Sequence, residues 1–203
     1  YTSSAASDVY KRQIEKCDDK FQVVGVSANS NKKKLSEICK KFGPKNVLFT
    51  DKKVQNNLQK SEFNGDAKFF FGNDLYHEFF DIDFDLVVNG ISGFAGIKPT
   101  FVVIEKGKDI ALANKETIVS GGKLIIEKSK LSGSKIIPID SEHNALFQLM
   151  KNYELHEIDK ITLTASGGPF RRDTYKELSE RKYFEALNHP TWNMGTKNTI
   201  DSA

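Results

Sequence analysis

Cysteine is scarce in this chain. Cys17 and Cys39 are the only two, and their spacing matches neither a metal motif nor a disulfide framework, which favours a reducing compartment. No apolar run approaches the length of a membrane span, and no signal peptide is visible. Charge of one sign is lacking too. Against 27 acidic residues stand 30 Lys and Arg, and the formal net charge of +3 is too small and too evenly spread to argue for nucleic acid. The abundance of Lys and Asn reads as coding bias rather than a binding patch. There is no internal repeat, no zinc-type His/Cys cluster and no Ser-His-Asp order. A starting Met is also missing. Residues Tyr1 to Gln13 carry no helical or strand periodicity, resemble translated adapter DNA and are set aside from fold reasoning. The abrupt stop at Ala203 leads us to expect a fragment.

What is present is an ordinary soluble composition, 38% apolar and 28% charged over 203 residues, enough for one or two domains. Phe21–Ala28 predicts a buried strand. Lys32–Phe42 predicts a helix, with Leu35, Ile38, Cys39 and Phe42 at helical spacing and Gly43-Pro44 closing it. Asn46–Thr50 and Asp85–Ile91 predict further strands, the second entering a glycine-bearing turn from Gly90 to Gly96. Pro99 opens a helix that Gly107 closes. Then follow a strand at Asp109–Ala113, a helix from Lys115 to about Lys128, a strand at Lys135–Ile139, a helix from Ser141 and a strand at Lys160–Thr164. The stretch Asn56–Phe80 resists assignment. Strand–helix alternation with short joints predicts a mainly parallel sheet with helices on both faces.

The most informative stretch is Lys135–Gln148. An apolar run, Ile136–Ile139, drops onto Asp140 and Glu142, and Ala145, Leu146 and Leu149 then take up a helical rhythm. Carboxylates at the carboxyl end of a strand in an α/β sheet lie where ligands bind, and paired acidic oxygens suit Mg²⁺ or Mn²⁺. Simple capping competes with this reading, since Ser141 is a good N-cap and acidic residues favour a helix's first turn. Ser27–Asn31 lacks an acidic residue and runs into Lys32, Lys33 and Lys34, which suits a 2′-phosphate better than a 2′-hydroxyl; a polar turn before a basic, solvated helix face is the competing reading. Gly90, Gly93 and Gly96 let backbone approach a cofactor closely. Asn114 can orient a cofactor that Lys115 contacts, or simply cap the next helix. Ser166, in Thr164–Phe170, offers a phosphate nest with free backbone N–H groups. His189 can bond a phosphate or hydroxyl, and Trp192 can cover a site; packing is the competing role for both.

Four strings, in order, carry a resemblance: Ala-Leu-Ala-Asn-Lys-Glu-Thr, Pro-Ile-Asp-Ser-Glu-His-Asn-Ala-Leu-Phe-Gln, Leu-Thr-Ala-Ser-Gly-Gly-Pro-Phe-Arg and His-Pro-Thr-Trp-Asn-Met-Gly. Together they resemble the 1-deoxy-D-xylulose 5-phosphate reductoisomerase family, from about Phe21 to Ala203. The resemblance implies a Rossmann-like, doubly wound parallel α/β sheet (14–133) that binds NADPH, followed by the start of an α/β catalytic domain (134–203). It implies Asp140 and Glu142 as ligands of Mg²⁺ or Mn²⁺, with a third carboxylate just beyond Ala203. Substrate binding falls on Ser141, Ser166, His189 and Ser202, with Trp192 on a closing loop. Cofactor contacts fall on Ser30, Asn31, Gly90, Asn114, Lys115 and Glu116. The implied partner is a sugar phosphate, without nucleic acid or membrane, in a homodimer when complete. The implied location is bacterial cytoplasm, or a plastid in a eukaryote. The family's glycine-rich pyrophosphate loop would precede Phe21, so the fragment alone is expected to be inactive. The rivals are a homoserine-dehydrogenase-like enzyme, which would not combine these strings, and a non-catalytic binding module.

Overall fold

A computed structural model of the chain describes residues 12–17, 20–63, 66–164, 167–191 and 196–203. Six short strands form two parallel sheets. The first joins β1 (Gly25–Ala28), β2 (Asn46–Phe49) and β3 (Lys68–Phe71) in that order; the second joins β4 (Leu86–Asn89), β5 (Asp109–Leu112) and β6 (Ile136–Pro138). The registers align Gly25 with Asn46 and Lys68, and Ile110 with Val87 and Ile136. Parallel pairing requires crossovers, and helices supply three of them. They are α1 (Lys32–Phe42) between β1 and β2, α3 (Ile97–Glu105) between β4 and β5, and α4 (Lys115–Ser132) between β5 and β6. A short helix, α2 (Tyr76–Phe79), precedes β4, and α5 (Ser141–Met150), α6 (Tyr175–Glu180) and α7 (Thr196–Asp201) complete the order.

Local chemistry accounts for the boundaries. Asn31 caps α1 by accepting from the Lys34 N–H at 3.0 Å, and Gly43 ends it at φ +61, returning its N–H to the Cys39 carbonyl. The helix predicted to begin at Pro99 starts two residues earlier, and α4 runs on to Ser132, where Gly133 at φ +77 stops it.

The period-2 alternation of the strands sorts the core. Leu48 of β2 and Phe70 of β3 point to one face, where they meet Ile110 and Leu112 of β5, Phe79, Phe80 and Phe84. Val102, Val103 and Ile104 of α3 and Ile125 of α4 close this layer, which spans both sheets. On the other face of the first sheet Val47 and Phe49 pack with Leu35 and Cys39 of α1, Val54 and Phe63. Among the described residues β1 and β4 each pair on one side only, and both line a cleft of about 1040 Å³ floored by Leu35, Phe79 and Phe80. The doubly wound arrangement is thus present as two half-sheets flanking a groove.

Two expectations need correction, and two readings gain detail. Lys160–Thr164 is not a strand: the stretch is extended but exposed, and among the described residues no strand pairs with it. The unassigned stretch holds β3, whose run Phe69–Phe71 has no polar alternation to read because both faces are covered. The helix expected from Ser141 is present, and its apolar rhythm lies open, since Leu149 is 70% exposed and no residue of the helix is buried. Residues 12–16 are helical, so Arg12 and Gln13, set aside above, carry regular structure. No helix among the described residues is long and apolar enough to cross a membrane.

The core assignment is testable. Phe49 is fully buried, stacked on Phe71 at 6.2 Å between ring centroids and edge-on to Phe63 at 6.0 Å. Phe49→Ala is expected to cost about 3–5 kcal/mol in chemical denaturation. Val119→Ala, at a side chain 81% exposed, should stay within about 0.5 kcal/mol.

Candidate active site

Because β4, β5 and β6 are parallel, the loops that follow them leave the sheet at one end. Backbone bonds extend the ladder past the strands: Ala113 N–H to the Asn89 carbonyl and Ile139 N–H to the Leu112 carbonyl, both 3.0 Å. Gly90, Asn114 and Asp140 are thereby lined up on adjacent loops. Asn31, Gly90, Ile91 and Ile139 also line the cleft between the two sheets, so the loop after β1 shares it.

The loop after β4 is held by buried amides. Asn89 donates to the Gly96 carbonyl at 2.9 Å and to Thr100 Oγ1 at 2.7 Å, and its Oδ1 accepts from the Ile91 N–H at 3.0 Å. Asn114 donates to the Ile91 and Gly93 carbonyls, and accepts from the Thr117 N–H and hydroxyl. Asn114 is therefore the N-cap of α4, the alternative weighed from the sequence. Asn89 and Thr100 drew no notice there; a buried Asn ending an apolar strand is the signal that could have found them.

The acidic turn follows β6. Asp140, not Ser141 as expected, caps α5, because Ser141 already belongs to the helix and the Asp140 side chain reaches the third helical N–H: its Oδ2 accepts from the His143 N–H at 3.2 Å and meets His143 Nδ1 at 2.7 Å. The Asp140–His143 spacing of three residues could have announced this pair. Asn144 ties the helix back to the Pro138 carbonyl at 2.7 Å. Glu142 accepts from Ser141 Oγ at 3.0 Å and faces Lys115 Nζ at 3.8 Å, bridging the loops after β5 and β6. The Glu142 carboxyl lies below its ordinary range, first because its own backbone N–H bonds it, then through Ser141, Lys115 and His143, with partial burial opposing. Lys115 and Glu142 are about half exposed, so their ion pair is a modest term. Both carboxylates are hard oxygen donors and fit a divalent cation in kind. Among the described residues no group of three or more His, Cys, Asp or Glu could hold one.

The remaining candidates fall elsewhere. Ser30 is exposed after β1, its carbonyl accepting from the Lys32 N–H, and Glu116 sits in the first turn of α4. His189 Nδ1 accepts from the Thr191 N–H at 3.1 Å, and Ser202 Oγ donates to the Thr199 carbonyl at 2.8 Å. Ser202 packs against Gly168, where a Cβ would strike its carbonyl oxygen. Helix α7 packs on the turn Tyr183–Leu187, which Arg181 fastens by gripping Asp173 through Nε at 2.6 Å and Glu185 through a terminal nitrogen at 2.8 Å. Ser166 and Trp192 lie outside the described residues. The structure thus brings Gly90, Asn114, Lys115, Asp140 and Glu142 together on adjoining loops, and gives Ser202 a local setting near the other end of the chain.

Comparison with known proteins adds to this geometry. Residues 8–122 match the family model of 1-deoxy-D-xylulose 5-phosphate reductoisomerase, and residues 136–203 match that of its C-terminal domain. The first match begins inside the segment set aside from the fold. A 1-deoxy-D-xylulose 5-phosphate reductoisomerase of Clostridium kluyveri is 43% identical over 193 residues, 94% of this chain and 50% of that protein. Another, of Thermodesulfovibrio yellowstonii, is 44% identical over 191 residues. The chain spans about half the length of these curated relatives. A crystal structure of a DOX-P reductoisomerase in complex with NADPH, fosmidomycin and magnesium superposes with a TM-score of 0.85 at 31% identity, covering 99% of this chain and 52% of that one. The reductoisomerase of Zymomonas mobilis in complex with NADPH gives 0.85 at 35% identity with the same coverage.

The electrostatics of the turn can be measured. Ser141→Ala and Lys115→Gln should each raise the Glu142 titration midpoint toward that of an ordinary glutamate, followed by carboxyl NMR chemical shifts. The stability linked to this group is full above its unfolded-state pKa and is lost as pH falls through the depressed folded value. Unchanged midpoints in both variants would remove these contacts from the account.

Proposed function

Because the chain belongs to the 1-deoxy-D-xylulose 5-phosphate reductoisomerase family, we propose that it serves the NADPH- and divalent-metal-dependent rearrangement and reduction of 1-deoxy-D-xylulose 5-phosphate to 2-C-methyl-D-erythritol 4-phosphate, in non-mevalonate isoprenoid biosynthesis. The observation that carries this reading is the acidic turn Asp140–Glu142, set at the end of β6 and facing Lys115 of the neighbouring loop. Relatives of the same fold are found with NADPH and with magnesium.

In this reading Asp140 and Glu142 hold Mg²⁺ or Mn²⁺. The bound cation supplies Lewis acidity toward the oxygens of the sugar phosphate. Lys115 offsets part of the negative charge of the turn, and the Ser141 hydroxyl keeps the Glu142 carboxylate aimed and ionised. NADPH supplies the hydride. In this reading Ser30, Asn31 and Gly90, on the loops after β1 and β4, and Glu116, in the first turn of α4, surround the cofactor, with Asn114 and Lys115 at their junction, and Lys32, Lys33 and Lys34 offer positive charge to a ribose phosphate. Ser141, Ser166, His189 and Ser202 bind the substrate, and Trp192 covers the site and keeps water out. The working assembly is a homodimer whose partner is a small sugar phosphate, not nucleic acid or a membrane. Turnover is not expected from these 203 residues alone, because two carboxylates leave a metal short of negative ligands.

Two measurements test the reading, both made on this sequence joined to the flanking segments of the Clostridium kluyveri relative. Asp140→Asn and Glu142→Gln should each lower metal-dependent NADPH oxidation by roughly 10²–10⁴-fold, the loss of several kcal/mol of Lewis-acid stabilisation, while NADPH binding stays nearly unchanged. Near-normal turnover at saturating Mn²⁺ would show that these are not the ligands. Separately, kcat/KM should favour NADPH over NADH, since Asn29, Ser30 and Asn31 carry no carboxylate and Lys32–Lys34 follow. A preference for NADH would sink the cofactor assignment.

A further inference from the structure

Asn114 spends its whole polar capacity inside the protein. The residue is 2% exposed. An asparagine amide has two N–H donors and one acceptor oxygen with two lone pairs. Here the donors go to the carbonyls of Ile91 and Gly93, the second at 2.8 Å, and the oxygen accepts from the N–H and hydroxyl of Thr117. Asn89, 3% exposed, grips the same loop from the other side. It bonds Ile91 N–H at 3.0 Å and the Gly96 carbonyl at 2.9 Å, and it shares Thr100 Oγ1, which also donates to Gly96 at 2.8 Å. Gly96 packs directly on Asn114: a Cβ there would sit 2.7 Å from the amide carbon and nitrogen. Glycine at that position therefore makes room for the amide, independently of any turn geometry.

We propose that Asn114 is a positioning residue: with Asn89 it latches the loop of residues 90–96 to the start of α4, and what reaches a ligand is the backbone of the latched loop rather than the Asn114 side chain. The proposal deepens the reading above and rests on it only in taking that loop to face NADPH. Capping alone needs an oxygen at position 114; the latch needs the two donors as well. Serine supplies the first without the second, because its hydroxyl caps a helix but is too short to reach two carbonyls across the loop.

The test is hydrogen exchange on this sequence joined to the flanking segments of the Clostridium kluyveri relative, unaltered and as Asn114→Ser, Asn114→Ala and Gly96→Ala, each with and without NADPH. The latch predicts that amides of residues 91–96 exchange about tenfold faster in Asn114→Ser and Asn114→Ala alike, the loss expected for two buried hydrogen bonds. Amides in the first turn of α4 should speed up in Asn114→Ala but stay slow in Asn114→Ser. Gly96→Ala should loosen the loop in the unaltered background and add little to Asn114→Ala, since both break the same contact. NADPH should slow the loop amides of the unaltered chain and do so less in Asn114→Ser. If Asn114→Ser leaves the loop as slow as the unaltered chain, Asn114 is a cap and the latch is overturned. If NADPH changes no loop amide in the unaltered chain, the cofactor reading of the loop fails, and the latch still stands or falls on the exchange comparison. Asn114→Ser, the mildest change, decides alone if the other variants do not fold.

Discussion

Everything at the candidate site depends on one apolar layer. Among the described residues no backbone hydrogen bond joins β1 to β4, so the two three-stranded sheets keep their relation through side chains. Leu48 and Phe70 of the first sheet press on the same cluster as Ile110 and Leu112 of the second, with Phe79, Phe80 and Phe84 between them. Such packing is non-directional and large in sum, and it sets where the groove between β1 and β4 lies. The aromatic weight of the layer suits the task. Ring pairs such as Phe70 with Phe79 at 5.6 Å add geometric preference to simple burial.

On that base, parallel strands deliver loops to one end, and buried amides give the loops their order. The ends of β4, β5 and β6 carry glycine, asparagine, lysine and carboxylate in turn, and all but the glycine sit at the starts of α4 and α5. Asn89 and Asn114 are buried, where an unmet donor would be costly, and each has two partners on the Gly90–Gly96 loop. Polar groups that look like ligand contacts in a sequence thus serve as fasteners in the fold. The groups that stay accessible are the ionic ones, Lys115 and Glu142, which meet across the gap between two loops.

In the acidic turn, capping leaves room for the proposed metal. Both interactions of Asp140 with His143 fall on Oδ2, while the carboxylate has a second oxygen. Glu142 takes its main stabilisation from its own backbone N–H at the start of α5, where a negative charge is favoured in any case. A helix N-terminus that orients both carboxylates and keeps Glu142 ionised is already a prepared set of hard oxygen donors. Capping and ligation, weighed above as alternatives, are compatible uses of the same residues.

The amino-acid sequence by itself determined the α/β class, the capped helices at Lys32 and Ser141, and the place of Asp140 and Glu142, because these rest on local signals: apolar period, Gly43 at a helix end, oxygen-bearing side chains at caps. The four motif strings also carried the family. It could not reveal β3, since Phe69–Phe71 is covered on both faces and lacks alternation. It mistook Lys160–Thr164 for a strand, because strand propensity says nothing about whether a partner edge exists. Tertiary structure alone decided the role of Asn114. A side chain's choice between a ligand and a loop carbonyl depends on what lies within 3 Å of it. For Asn114 that is Gly93, 21 residues earlier, brought there by the parallel pairing of β4 with β5.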